Sequence, residues 1–136
     1  MNKLKISILL MLYDAGEKGL TDKQIADRLD INKKGFKKLE TALSEMKQHN
    51  DIAYKKGMCW IKHPEQFFKA EVTRVTPKSG FIRQLGDMPV EYFVRGRDLM
   101  GSIPGDIVLA KQTAEADERF SAEAVVVSVL EANNGL

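Results

Sequence analysis

The chain has 136 residues, 43% of them hydrophobic and 29% charged, which suits one ordinary soluble domain or two small ones with a real core. Its single cysteine, Cys59, excludes an internal disulfide framework and fits a reducing compartment, so the expected location is the cytoplasm. The net charge of +2 is uninformative, but residues 1–69 carry 14 Lys+Arg against 9 Asp+Glu, whereas residues 70–136 carry 7 against 10. That asymmetry favours two modules, the first a candidate for phosphate contact; an ordinary solvated surface accounts for the charge alone equally well.

The N-terminus imitates a signal peptide, with Lys3 and Lys5 ahead of an apolar run at 6–13. That run meets Asp14 where small cleavage-site residues should stand, and it is too short to span a bilayer, so no membrane partner is expected. Leu4, Ile8, Met11, Leu12 and Ala15 fall on one face of a helix, which predicts a buried first helix ending near Gly16. Thr21 followed by Gln24 has the form of a capping box, and Ile25, Ala26 and Leu29 give a second helix of about two turns. Asp30, Ile31 and Asn32 form a turn, with Asn32 as cap for a third helix from Lys33 to about Gln48. Phe36, Leu39, Leu43 and Met46 make its apolar face, and Lys33, Lys34, Lys37 and Lys38 crowd its first turns.

The period then changes to two. Residues 52–54 and 58–61 predict a short hairpin whose tip, Lys55-Lys56-Gly57, is basic. Three helices followed by a hairpin is the winged helix-turn-helix order, with the lysine-rich third helix where a recognition helix stands. Winged helices also serve as packing or protein-contact modules. Helix and hairpin tip are basic together, which favours nucleic acid. The expected boundaries are 1–64 for this domain and 67–132 for the next, with a linker at His63-Pro64-Glu65, because the residue before a proline leaves helical space.

Five strands are predicted in the second module, at 69–75, 80–85, 90–95, 107–111 and 122–130. Turn signals separate them at 77–79, 86–89, 104–105 and 115–121. The turn at 103–106 uses Pro104 for a fixed φ and Gly105 for a positive one, and Asp106 can accept from turn amides. The last strand, AEAVVVSVL, lacks clean alternation. The fold class is therefore α+β: a winged helix-turn-helix domain followed by a five-stranded oligonucleotide-binding (OB) barrel. Alternation places Ile82, Tyr92 and Val94 on one side, and Phe81, Phe93 and Arg95 on the other.

Lys78-Ser79-Gly80-Phe81-Ile82 followed by Tyr92-Phe93-Val94-Arg95 resembles the paired ribonucleoprotein motifs of cold-shock domains, K-G-x-G-F-x-F-I and V-F-V-H. FVRGRDLMGSIPGDIVLAK and then AEAVVVSVLE are similar to the first cold-shock domain of bacterial ribonuclease R, and residues 1–63 resemble the winged helix that leads many chains of that family. The resemblance covers nearly the whole chain in order. It implies a 3′→5′ exoribonuclease acting on structured RNA, with a Mg²⁺-dependent catalytic domain downstream. These residues lack the closely spaced aspartates such a metal site needs, along with any P-loop, HExxH or paired Cys/His spacing. His49 and His63 match no ligand spacing and are expected on the surface, and Cys59 reads as a buried filler. Residues 131–136 read like a linker before a second barrel. The expectation is an N-terminal fragment, non-enzymatic by itself, with no cofactor of its own.

The expected nucleic-acid contacts are Lys33, Lys34, Lys37, Lys38, Lys55 and Lys56 in the first module. In the second they are Arg74, Lys78, Phe81, Arg83, Phe93, Arg95 and Arg97. The cold-shock pattern carries more aromatics than this chain: Ser79 stands at one such position and Arg74 near the usual Trp. A guanidinium can stack on a base and pair with phosphate, so a guanidinium-rich face is expected instead. The expected partner is RNA, single-stranded or structured, held without marked sequence preference, with duplex nucleic acid also open to the winged helix. Two other readings stand beside this one: a DNA-binding transcription regulator, and a protein-interaction or autoinhibitory module.

Overall fold

The computed structural model describes residues 2–87 and 89–133 and divides into two units, Met1–Pro64 and Glu65–Leu136. Met88, within the expected 86–89 turn, and residues 134–136 of the expected linker lie outside the described residues.

In the first unit, α1 (Lys3–Ala15) starts on Asn2, whose side chain accepts from the Lys5 amide, and stops at Gly16. Its buried stripe is Ile8, Leu9 and Leu12. Leu9 thus joins the face, while Leu4, Met11 and Ala15 are only half-buried at its margin. A two-residue strand, β1 (Leu20–Thr21), precedes α2 (Asp22–Arg28). The capping box at the start of α2 is complete: the Gln24 amide donates to Thr21 Oγ1 at 3.0 Å and the Thr21 amide to Gln24 Oε1 at 2.9 Å. Such a cap contributes about 1 kcal/mol. α3 (Lys33–Gln48) is capped by Asn32 and buries Leu39, Ala42, Leu43 and Met46.

The hairpin follows as β2 (Ile52–Lys55) and β3 (Met58–Ile61). Lys56 and Gly57, with φ of 52° and 78°, form its two-residue turn, the pair of positive φ values that matches strand twist. Lys55 is therefore the last strand residue and not part of the tip. The sheet order is β1-β3-β2, and it follows the helices α1, α2 and α3 in the element order expected from the sequence. Cys59 is wholly buried in β3, and burial, with Asp22 adding to it, pushes its thiol up to about 12. It is a packing residue with no thiolate at neutral pH.

The second unit is a closed barrel of β4 (Phe67–Val75), β5 (Ser79–Gln84), β6 (Glu91–Arg95), β7 (Ile107–Ala114) and β8 (Ala122–Glu131), ordered β4-β5-β6-β8-β7. β6 and β8 pair in parallel, β7 returns to β4, and this closure is the OB arrangement. Inward residues include Val72, Ile82, Tyr92, Val94, Val108 and Val126, with the Phe68 and Tyr92 rings stacked at 4.4 Å. The 3-10 turn Gly96–Leu99 sends Leu99 into this core. The broken alternation of β8 has a local cause. Its pairing with β7 shifts register at three places, so inward residues run Ala122, Ala124, Val126 and then Val129.

The 103–106 turn forms as the sequence predicts. Gly105 has φ 93°, the Asp106 amide donates to the Ile103 carbonyl, and Asp106 Oδ2 accepts from the Ile103 amide at 3.0 Å. The turn is also joined to β4, because the Gly105 amide donates to the Val72 carbonyl and the Val72 amide to the Asp106 carbonyl.

Candidate nucleic-acid interface

The outward face of the barrel is built by register. Arg74 on β4 pairs with Phe81 on β5, Phe81 with Phe93 on β6, and Phe93 with Glu123 on β8. One row of side chains therefore crosses four strands. Ile82, Tyr92 and Val94 are buried while Phe81 and Phe93 are half-buried on the opposite side. The two phenyl rings meet edge to face at 5.7 Å and 70°, an arrangement worth about 0.5–1.5 kcal/mol beyond burial.

Arg74 reaches this row through a register shift between Val72 and Arg74, and its guanidinium lies 4.4 Å from the Phe81 ring centroid. One face of Phe81 is thus covered by a cation that can itself present a flat surface to a base. In the next row Ser79 pairs with Arg95, and Arg95 Nε lies 4.0 Å from Glu123 Oε1. Ser79 belongs to the turn: its amide donates to Thr76 Oγ1 at 3.1 Å. Arg95 and Arg97 line one recess together with Asp98 and Glu123. Lys78 is exposed in the β4–β5 connection, where its carbonyl accepts from the Gly96 amide. Arg83 stands apart. It faces Glu71 at 3.9 Å, with Glu91 as its other cross-strand partner, so its charge sits in an acidic row. Exposed pairs of this kind hold their partners by about 0–1 kcal/mol, which a phosphate can displace.

One contributor escapes sequence reasoning. Phe120, in the 115–121 connection, is 70% exposed and lines the same recess as Phe81, Phe93 and Arg95, with Arg119 beside it. The available signal was an aromatic placed in the polar run Glu118-Arg119-Phe120-Ser121, where no core position calls for it.

In the first unit, Lys33, Lys34, Lys37 and Lys38 are all exposed, on the side of α3 opposite Leu39 and Leu43. Lys55 and Lys56 are exposed at the end of β2 and in the turn. The β2–β3 hairpin is tethered to the start of α2. The Asp22 amide donates to the Gly57 carbonyl at 2.8 Å, and the Tyr54 hydroxyl donates to Asp22 Oδ2 at 2.9 Å. Burial first, and then this hydrogen bond, push the Tyr54 phenol above its ordinary range. The tether holds the basic turn in one place. His49 and His63 are exposed.

Among the described residues there is no group of three or more His, Cys, Asp or Glu side chains that could hold a metal ion. Among them, too, no helix is long and apolar enough to cross a membrane.

No protein-family model and no curated protein matches the chain. Among solved structures, two of Mycoplasma genitalium RNase R are similar to it: the apo form, and the complex with ribose-methylated single-stranded RNA. Each has 28% sequence identity and a TM-score of 0.43, over 48% of this chain and 10% of the other. The chain thus spans about a tenth of the length of those structures. The observed order, helical unit first and five-stranded barrel second, fits the RNase R-like N-terminal region that the sequence resembles.

Proposed function

We propose that this chain is the RNA-binding portion of an RNase R-like 3′→5′ exoribonuclease, which captures RNA and guides it toward a catalytic domain that is not among these residues. The observation that carries the reading is the outward row of Arg74, Phe81 and Phe93, set on rigid strands directly opposite the core. Aromatic side chains on a strand face, flanked by guanidinium groups, offer stacking platforms to bases and partners to phosphates, which is how barrels of this type take single strands. The ribonucleoprotein-like motifs at 78–82 and 92–95 support it, since they supply Phe81 and Phe93 of this row.

Filter binding of a short single-stranded RNA at several salt concentrations tests the proposal. Log affinity should fall linearly with log salt, with slope about −0.7 for each phosphate neutralised. A salt-independent affinity would sink it. On the same assay Phe93→Ala should weaken binding by about one stacked base, roughly 1–3 kcal/mol. Because Phe93 also touches Phe81, the melting temperature should drop by the equivalent of about 0.5–1.5 kcal/mol. A loss of about 3–5 kcal/mol in stability would instead make Phe93 a core residue and remove it from the site.

The winged helix gets the second role, engagement of structured or duplex RNA by the start of α3 and the basic turn. The joint exposure of Lys34, Lys37, Lys38, Lys55 and Lys56 supports it. Substituting Lys34, Lys37 and Lys38 with Ala should lower affinity for a hairpin RNA more than for a short single strand. Equal losses, or none, would assign the winged helix to packing or protein contact.

A further inference from the structure

The recess that Phe120 shares with Phe81 and Phe93 is about 610 Å³, within the roughly 300–1,000 Å³ usual for small-ligand sites. Its chemistry is unlike that of a phosphate track. Alongside the three rings stand Glu115 and Glu123 as well as Arg95 and Arg119, so carboxylates and guanidinium groups line one aromatic cleft. A groove built only to follow a backbone has no use for carboxylates, which repel phosphate.

Phe120 is held in position by its own loop. Asp117 Oδ1 accepts from the Arg119 and Phe120 amides, each at 2.8 Å, and the Asp117 amide donates to the Phe120 carbonyl at 3.0 Å. Asp117 is thereby occupied with the turn. Glu123 is the cross-strand neighbour of both Phe93 and Ala114, so its carboxylate stands beside the rings. An exposed phenyl ring on a hydrogen-bonded turn, facing two further rings across a cleft, is positioned to cover a flat ligand.

We propose that this recess seats one nucleobase between Phe120 and the Phe81–Phe93 pair, and that its carboxylates select guanine. The proposal rests on the RNA-binding reading above and adds a preference at one position, where the sequence alone predicts none. A carboxylate offers two parallel acceptors. Of the four bases only guanine presents two adjacent donors, N1–H and the 2-amino group, to match them. Its O6 and N7 are the acceptors that an arginine fork fits. Adenine and cytosine present a single amine, and uracil a single N–H between two carbonyls.

The test is anisotropy titration of the full chain with a uridine octamer carrying guanosine, inosine or adenosine at one central position. A single guanosine avoids guanine self-association. The guanosine oligomer should bind roughly tenfold tighter than the adenosine one, with inosine, which lacks the 2-amino group, in between. The E115Q/E123Q double variant should bring the guanosine and adenosine oligomers to within about twofold of each other. Equal affinities for guanosine and adenosine on the native chain would overturn the proposal, as would a preference that survives the double substitution. The inosine comparison on the native chain decides the matter even if the variant fails to fold. Failure of every oligomer to bind would instead remove the RNA-binding reading itself.

Discussion

Replacing Gly19 with alanine should cost the first unit about 3 kcal/mol or more, while the same change at Gly16 should cost only about 1–3 kcal/mol. Both glycines occupy a backbone region that is essentially closed to other residues: φ 69° and ψ −148° at Gly16, φ 66° and ψ −168° at Gly19. Their surroundings differ. A Cβ at Gly16 would meet nothing within 4 Å, whereas at Gly19 it would collide with the Cys59 carbonyl oxygen and lie 3.1 Å from Trp60 Cβ. The obstacle at Gly19 is backbone of β3, which cannot step aside without breaking the pairing of Leu20 with Cys59. Thermal melts of the two variants, followed by the fluorescence of the single Trp60, make the comparison. Equal losses would mean that β1 can leave the sheet freely and that the close approach constrains nothing.

Asp106→Ala should remove about 2–5 kcal/mol from the barrel. The carboxylate is 4% exposed, and it accepts from the Ile103 amide at 3.0 Å and the Asn133 amide at 2.6 Å. One side chain thus closes the turn before β7 and draws the segment after β8 against it. Deleting it removes two hydrogen bonds to a charged acceptor, at about 1.5–3 kcal/mol each less the share that water regains at the exposed Ile103 and Asn133. Asp106→Asn keeps one oxygen but turns an amino group toward an N–H donor, so it should lose stability too, by less than the alanine variant. Chemical denaturation of the three proteins measures the order. An asparagine variant as stable as the native chain would show that double acceptance by the carboxylate is not needed.

Much of the candidate site could be read from the chain because it depends on local rules. Alternation alone separates Phe81 and Phe93 from Ile82, Tyr92 and Val94, since neighbouring side chains on a strand must face opposite ways. The same holds for the exposed lysines of α3, which are whatever the apolar stripe of Leu39, Leu43 and Met46 leaves over. The charges around the site did not read out this way. Arg83 shows itself in the sequence as a cation, and only pairing with β4 and β6 reveals Glu71 and Glu91 on either side of it.

What the sequence by itself determined is therefore each element taken singly. The caps at Thr21 and Asn32, the helix periods and the Pro104-Gly105 turn are settled by interactions within a few residues. The tertiary structure decided what those elements place side by side. β1 is a strand only because β3 lies beside it and Gly19 permits the approach; two residues carry no period of their own. Arg74 covers Phe81 because the strand bulges just before it. Phe120 and Glu123 join the face because β6 and β8 close the barrel in parallel, bringing residues well separated in sequence to one cleft. Closure is set by register and bulges summed over five strands, a property of the whole barrel that no single segment contains.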